Sequence, residues 1–343
     1  MIDIHFSPLA RRRWNRFKAH RRGYIALWIF ALLFGISLFA EGISNDRPLL
    51  ARYQGELFFP IFVSYPETRF GGIFETEADY RDPFITEKLS TEGAWAIFPP
   101  NPHRYDTINT RLRQPAPAPP SAENYLGTDD RGRDVLARLI YGFRLSVLFA
   151  LALTAVGVAL GIVAGAVQGY FGGRLDLWMQ RFTEIWGSMP ELYLLIIFSG
   201  IFNPSLGLLL ILLSLFGWMG LADYVRAEFF RGRGLTYVKA AKALGVTDGA
   251  IIFRHLLPNA LTPVITFLPF RISGAVLALT SLDFLGLGVP PETPSLGELL
   301  RQGKANIEAW WLSLTTFLVL VGMMLLLNFI GEALRDAMDP RRQ

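Results

Sequence analysis

Apolar positions in this chain come in long blocks. The first covers residues 24–40 (YIALWIFALLFGISLFA), and others follow at roughly 143–167, 185–202, 206–222, 263–286 and 312–330. A helix needs about 20 mostly apolar residues to cross ~30 Å of hydrocarbon. Backbone N–H and C=O groups find no partner in lipid, so each block must close its hydrogen bonds within a helix. The pattern predicts six membrane helices in an all-α polytopic protein. The third block carries Pro190 and Glu191, and only Asn203, Pro204 and Ser205 part it from the fourth.

Basic residues give the expected orientation, because Lys and Arg accumulate in cytoplasmic loops. Seven lie within the first 22 residues: Arg11, Arg12, Arg13, Arg16, Lys18, Arg21 and Arg22. The lead is long for a signal peptide and no A-x-A-like site follows, so the first block reads as an uncleaved anchor. The run Arg11–Arg22, with Trp14 and Phe17, suits an amphipathic helix on anionic lipid better than a nucleic-acid contact. An even helix count returns the tail (Arg335, Arg341, Arg342) to the cytoplasm. The loop between the fourth and fifth blocks, with Arg226, Arg231, Arg233, Lys239, Lys242 and Arg254, falls on the same side. The expected layout is a cytoplasmic N-terminus (1–23), a first helix (24–40) and an outer segment (41–140). A domain of helices two to six (141–335) follows, carrying a cytoplasmic loop (223–262), and then a tail (336–343).

Composition narrows the classes. Of 343 residues, 52% are apolar and 18% charged, well below the quarter charged of average soluble chains. There is no cysteine, and four scattered histidines make no metal spacing. No cofactor or metal is expected. Residues 297–305 (GELLRQGKA) have five residues between the glycines where a phosphate loop needs four, and no Ser/Thr follows Lys304. The chain therefore has no ATP site of its own, and any energy source must be another polypeptide. Asp129, Asp130 and Asp134 lack the ligand alternation of a calcium loop and read as an Asp/Arg cap at the head of helix two. No G-x-S-x-G occurs to support serine hydrolase chemistry.

The outer segment holds 15 acidic and 11 basic residues. Its 47–95 part is aromatic-rich with Gly-Gly and Asp-Pro breaks, predicting short strands and turns. Its 99–120 part has seven prolines and is expected to run extended. Within the spans, Gly157, Gly161 and Gly165 make a small-residue face for close helix packing. Arg271, Asp283 and Glu191 are intramembrane charges, candidates for lining a passage.

The loop RAEFFRGRGLTYVKAAKALGVTDGAIIFRHLLPNALTP predicts two short helices joined by a bend. Residues 236–244 form the first, and Gly245 ends it in the left-handed conformation. Thr247 or Asp248 caps the second, and Pro258 or Pro263 limits it. Lys239-Ala240-Ala241, Gly245 and Leu257-Pro258 resemble the "EAA" loop of bacterial ABC importer permeases. That pattern begins with Glu and has Ile ahead of Leu-Pro. Here Lys239 and His255 hold those places, as is familiar in the peptide/nickel branch. Further blocks are similar in order: Gly127-Thr128-Asp129 through Arg133-Asp134; Gly169-Tyr170-Phe171-Gly172-Gly173; Phe284 to Gly288 with Pro290-Pro291; and Asp336 to Pro340. The long insert and the SLDFLGLG and SLGELLRQGK wording look closest to the second permease of the Yej-type peptide (microcin C) importers.

The resemblance implies a MetI-like type I importer permease fold, without enzymatic activity, in the bacterial inner membrane. It implies a second homologous permease as heterodimer partner, cytoplasmic ATPases and a periplasmic substrate-binding protein. Peptides would move inward by alternating access. The ATPase-coupling positions carried over are Lys239, Ala240, Ala241, Gly245, His255, Leu257 and Pro258. The alternatives are a nickel or other small-solute importer permease, or an ATP-independent carrier. The carrier would show inverted repeats with broken helices, which are absent from the sequence.

Overall fold

The computed structural model describes residues 8–91, 93–112 and 114–339. Pro340, Arg341 and Arg342 of the tail motif lie outside the described residues. In chain order the elements begin with α1 (Pro8–Ala19), α2 (Arg21–Leu38), α3 (Ala40–Ile43), β1 (Leu50–Tyr53), β2 (Glu56–Phe58), α4 (Pro83–Leu89) and β3 (Trp95–Ile97). Then come α5 (Val135–Phe171), α6 (Gly173–Gly187), α7 (Glu191–Ile201), α8 (Leu206–Gly217), α9 (Met219–Gly232), α10 (Thr236–Ala243) and α11 (Asp248–Ala250). After a π-helical turn (Ile251–Leu256) follow α12 (Leu257–Phe284), α13 (Leu296–Ala305) and α14 (Trp310–Met338).

Among the described residues, five helical paths are long and apolar enough to cross a membrane: Arg21–Leu38, Val135–Phe171, Leu206–Gly232, Asp248–Phe284 and Trp310–Met338. These account for five of the six apolar blocks. The remaining block is broken at Ser188–Pro190. Its apolar part is α7, 11 residues long, or roughly 16 Å, about half a bilayer core. Pro190 lacks the N–H that would continue α6, so the chain restarts at Glu191.

The chain divides into two compact units. One comprises residues up to 31, 147–290 and from 321 on; the other comprises 32–146 and 291–320. In the first, α5 and α9 approach closely along the predicted glycine face. A Cβ at Gly161 would sit 2.9 Å from the Leu221 Cβ, and one at Gly165 2.4 Å from the Ala222 carbonyl oxygen. The N-terminal helix α1 turns Phe17 into the protein, buried against Ala333 and Ala337. Trp14 stacks on Phe17 at 5.6 Å and stays exposed with Lys18 over its ring.

In the second unit, β1 is central in an antiparallel sheet of order β2-β1-β3. Ala51 and Tyr53 alternate inward and pack with Phe58, Phe70, Tyr80, Ile85 and Leu89. Asp82 caps α4 through the Phe84 N–H at 2.7 Å, with Pro83 in the first turn. Residues 99–120 hold no helix or strand among those described, and isolated bridges such as Ser44↔Asn101 and Ile108↔Arg133 pin them.

A buried polar network orders this cysteine-free segment. Asp134 accepts from Asn101 and Asn124 (both 2.9 Å) and from the Ala137 N–H (2.8 Å), so it caps α5. Asn109 donates to Asn124, Ser44 donates to the His103 carbonyl, and Tyr141 donates to the Ser44 carbonyl. Asp129 meets Arg133 at 2.6 Å and Arg138 at 3.5 Å, all three buried. These arginines reach on to the Pro291 and Thr293 carbonyls. The Asp/Arg mixture at the head of helix two is therefore an internally paired cap. Residues 296–305 are helical, with Ser295 as cap, so the GELLRQGKA stretch forms no phosphate cradle.

Candidate functional site

The elbow between α9 and α12 is built on an apolar base. Val238 of α10 is the buried residue of that helix. It packs with Phe229, Ile251, Leu256 and Ala260, and Ala241, Val246 and Leu257 press on the same cluster. Gly245 takes φ +77°, and its N–H bonds the Lys242 carbonyl while the Val246 N–H bonds that of Ala241. This is a Schellman closure, which favours glycine because a Cβ is strained there. Lys239, Ala240, Lys242 and Pro258 are exposed. So are two large apolar side chains, Leu244 at 84% and Phe253 at 69%. His255 is half-buried, its ring 6.4 Å from that of Tyr237.

The second limb differs from the expected short helix. Thr247 sits at the cap position without a side-chain cap bond, and the helix runs on through the π-helical turn into α12. Neither Pro258 nor Pro263 stops it. Pro258 lies directly after the π-helical turn, in the first turn of α12, and lacks the N–H that a continuous helix would use there. Pro263 and Pro269 are internal and each removes one hydrogen bond from a 37-residue path, a loss that neighbouring groups in membrane helices can absorb. Asp248 is held by a short hydrogen bond from the Tyr170 hydroxyl at the end of α5. Arg233 donates to the Tyr170 carbonyl at 3.1 Å. Asp176 is clamped by both arms of Arg226 at 2.6 and 2.7 Å, and this hydrogen-bonded pairing, which outweighs its desolvation, holds its carboxyl below the usual range. The sequence marked Gly169–Gly173 as a turn. It gave no sign that Tyr170 and Asp176 brace the elbow, because their partners lie 50 or more residues away.

The three intramembrane charges separate. Arg271 and Glu191 line one cavity of about 510 Å³ with Thr154, Met189, Phe216 and Gly274. Arg271 donates a short hydrogen bond to the Gly217 carbonyl, left free at the end of α8. Asp283 lines no part of that cavity. It is buried, and its carboxylate accepts the Val289 N–H at 2.9 Å. The loop folds back on it at Gly288, where a Cβ would lie 1.7 Å from its oxygen.

Residues 157–343 match the family described as the binding-protein-dependent transport system inner membrane component. Residues 7–56 match the N-terminal membrane domain of oligopeptide transport permease C. The chain belongs to this transport family. The permease is 50% identical to the peptidoglycan transport system permease protein YejE of Agrobacterium fabrum, over 98% of this chain and 94% of that one. It is 51% identical to the inner membrane ABC transporter permease protein YejE of Escherichia coli, over 98% of both. The oligopeptide permease OppC of Haemophilus influenzae is 34% identical over 70% of this chain and 77% of its own. A multi-pass inner membrane permease follows. The Yej-type resemblance read from the motifs is thereby shown.

Proposed function

We propose that this permease moves peptides from the periplasm to the cytoplasm as one half of a heterodimeric channel. Separate ATPases drive it, and a periplasmic binding protein delivers the substrate. The observation that carries this reading is the elbow. Its inner face is locked onto an apolar core, and its outer face presents Leu244, Phe253, Lys239 and Lys242 to a partner. An exposed apolar tip on a rigid base suits a groove in a motor subunit. The coupling positions are Lys239, Ala240, Ala241, Gly245, His255, Leu257 and Pro258. On this reading both termini and the elbow are cytoplasmic, and the segment 41–140 is periplasmic. The peptide class is supported by the names borne by the OppC and YejE relatives, and microcin C-type peptides belong in the test set.

The test is uptake of a labelled tripeptide by vesicles holding the full complex. Gly245→Val places a β-branched residue at positive φ, costing about 1–2 kcal/mol locally. It is expected to abolish uptake while assembly in the membrane survives. Normal uptake by that variant would take the elbow out of the mechanism. Uptake persisting without the ATPases would favour an ATP-independent carrier.

A further inference from the structure

Resting on the peptide-importer reading, we propose that the cavity between Arg271 and Glu191 binds the two charged ends of a peptide. Arg271 takes the C-terminal carboxylate and Glu191 the N-terminal ammonium group. The cavity, at about 510 Å³, has the size of small-molecule sites, about 300–1,000 Å³. Arg271 lies 13 residues before the end of α12 at Phe284, or roughly 20 Å along the helix, too deep for its head to reach that end.

Three polar groups with unused hydrogen-bonding capacity among the described residues converge here. Arg271 gives one nitrogen to the Gly217 carbonyl, its Nε has no acceptor, and it makes no ion pair among the described residues. Glu191 has no hydrogen-bond or ion-pair partner among the described residues, and it does not close on Arg271. Thr154 is 5% exposed and its hydroxyl is unpartnered. The remaining wall is apolar or small. A Cβ added at Gly274, near Arg271 on the same helix, would meet nothing within 4 Å, so there is room for a ligand.

Unpaired opposite charges inside a membrane span call for a bridging group. A lone anion would answer only Arg271, and a lone cation only Glu191. A peptide with free termini answers both, and a carboxylate suits the planar guanidinium fork. Asp283, committed to Val289, plays no part.

The decisive experiment titrates the purified permease–ATPase complex, without the binding protein, whose own preference would otherwise intrude. The probes are trialanine, its C-terminal amide and its N-acetyl form. Wild type is expected to bind the free peptide about tenfold tighter than either blocked form. Arg271→Gln should erase only the discrimination against the amide, Glu191→Gln only that against the acetyl form, and Arg271→Lys should keep part of it. Equal binding of all three by wild type overturns the proposal, and this arm stands even if a variant does not assemble. Equal weakening of all three by Arg271→Gln also overturns it, as would follow if Arg271 pairs with another subunit. Failure of the broader reading looks different: vesicles holding the full transporter would take up no peptide, blocked or free.

Discussion

Gly245 shows how far a single backbone angle was legible in the sequence. A helix of small and basic residues followed by Leu-Gly-Val favours a left-handed closure at the glycine, and Gly245 makes it. Asp283 shows the opposite. As a charge in an apolar block it looked like a passage residue, but its carboxylate is used by a loop that Gly288 allows to fold back, which no local pattern reveals. His103 is a third case. It is buried, with Arg81 beside Nδ1 at 3.4 Å and the Glu123 carbonyl at 3.0 Å from Nε2. An arginine can only donate, so Nδ1 accepts and Nε2 carries the proton. Burial pushes its pKa below the ordinary imidazole value. The unfolded chain then binds the extra proton more readily, so stability falls as pH drops below about 6.5 and is unaffected above it. Hydrogen exchange of residues 101–134 between about pH 8 and pH 5 should show protection lost on acidification. His103→Gln should flatten that dependence, and an unchanged slope would count against the assignment.

At the scale of elements, the head of α5 and the elbow carry the most specific chemistry. The sequence showed the Asp/Arg head as a self-paired cap. It did not show Asn101, Asn109 and Asn124, which the extended chain brings in from up to 33 residues away. Removing Asp134 leaves two buried asparagine donors and a helix N-terminus unmet, so Asp134→Ala should destabilise this unit by about 2–4 kcal/mol. A lower unfolding midpoint in detergent, with exchange rising at 101 and 124, would report it. Pro258 and Pro263 predict a stop that α12 does not make. A π-helical turn carries the helix past Pro258, and the elbow becomes one short helix and one long one. That long limb makes Tyr170 a brace between α5 and Asp248. Tyr170→Phe should therefore lower peptide uptake several-fold while the complex still hydrolyses ATP. Loss of both in equal measure would mean that the tyrosine serves assembly alone.

For the molecule as a whole, the apolar blocks gave the class and five of the spans. The motifs gave the family because each block keeps its order along the chain. Pro190 stands in the sequence, but apolar content does not report that the block divides there into α6 and α7, which on the proposed orientation cross together as one broken span. Only 17–33% of the most apolar window of each span is buried within this chain. The rest of that surface is available to lipid and to the partner permease that the proposed function calls for. Residues 296–305 form helix α13, and the proposal assigns the motor to separate ATPase subunits. The most direct measurement is uphill accumulation of a tripeptide in vesicles carrying the permease alone or with its partner permease, ATPases and binding protein. Accumulation that requires both the ATPases and hydrolysable ATP is the predicted result, with none for the chain alone. ATP-powered accumulation by the lone chain would contradict the account.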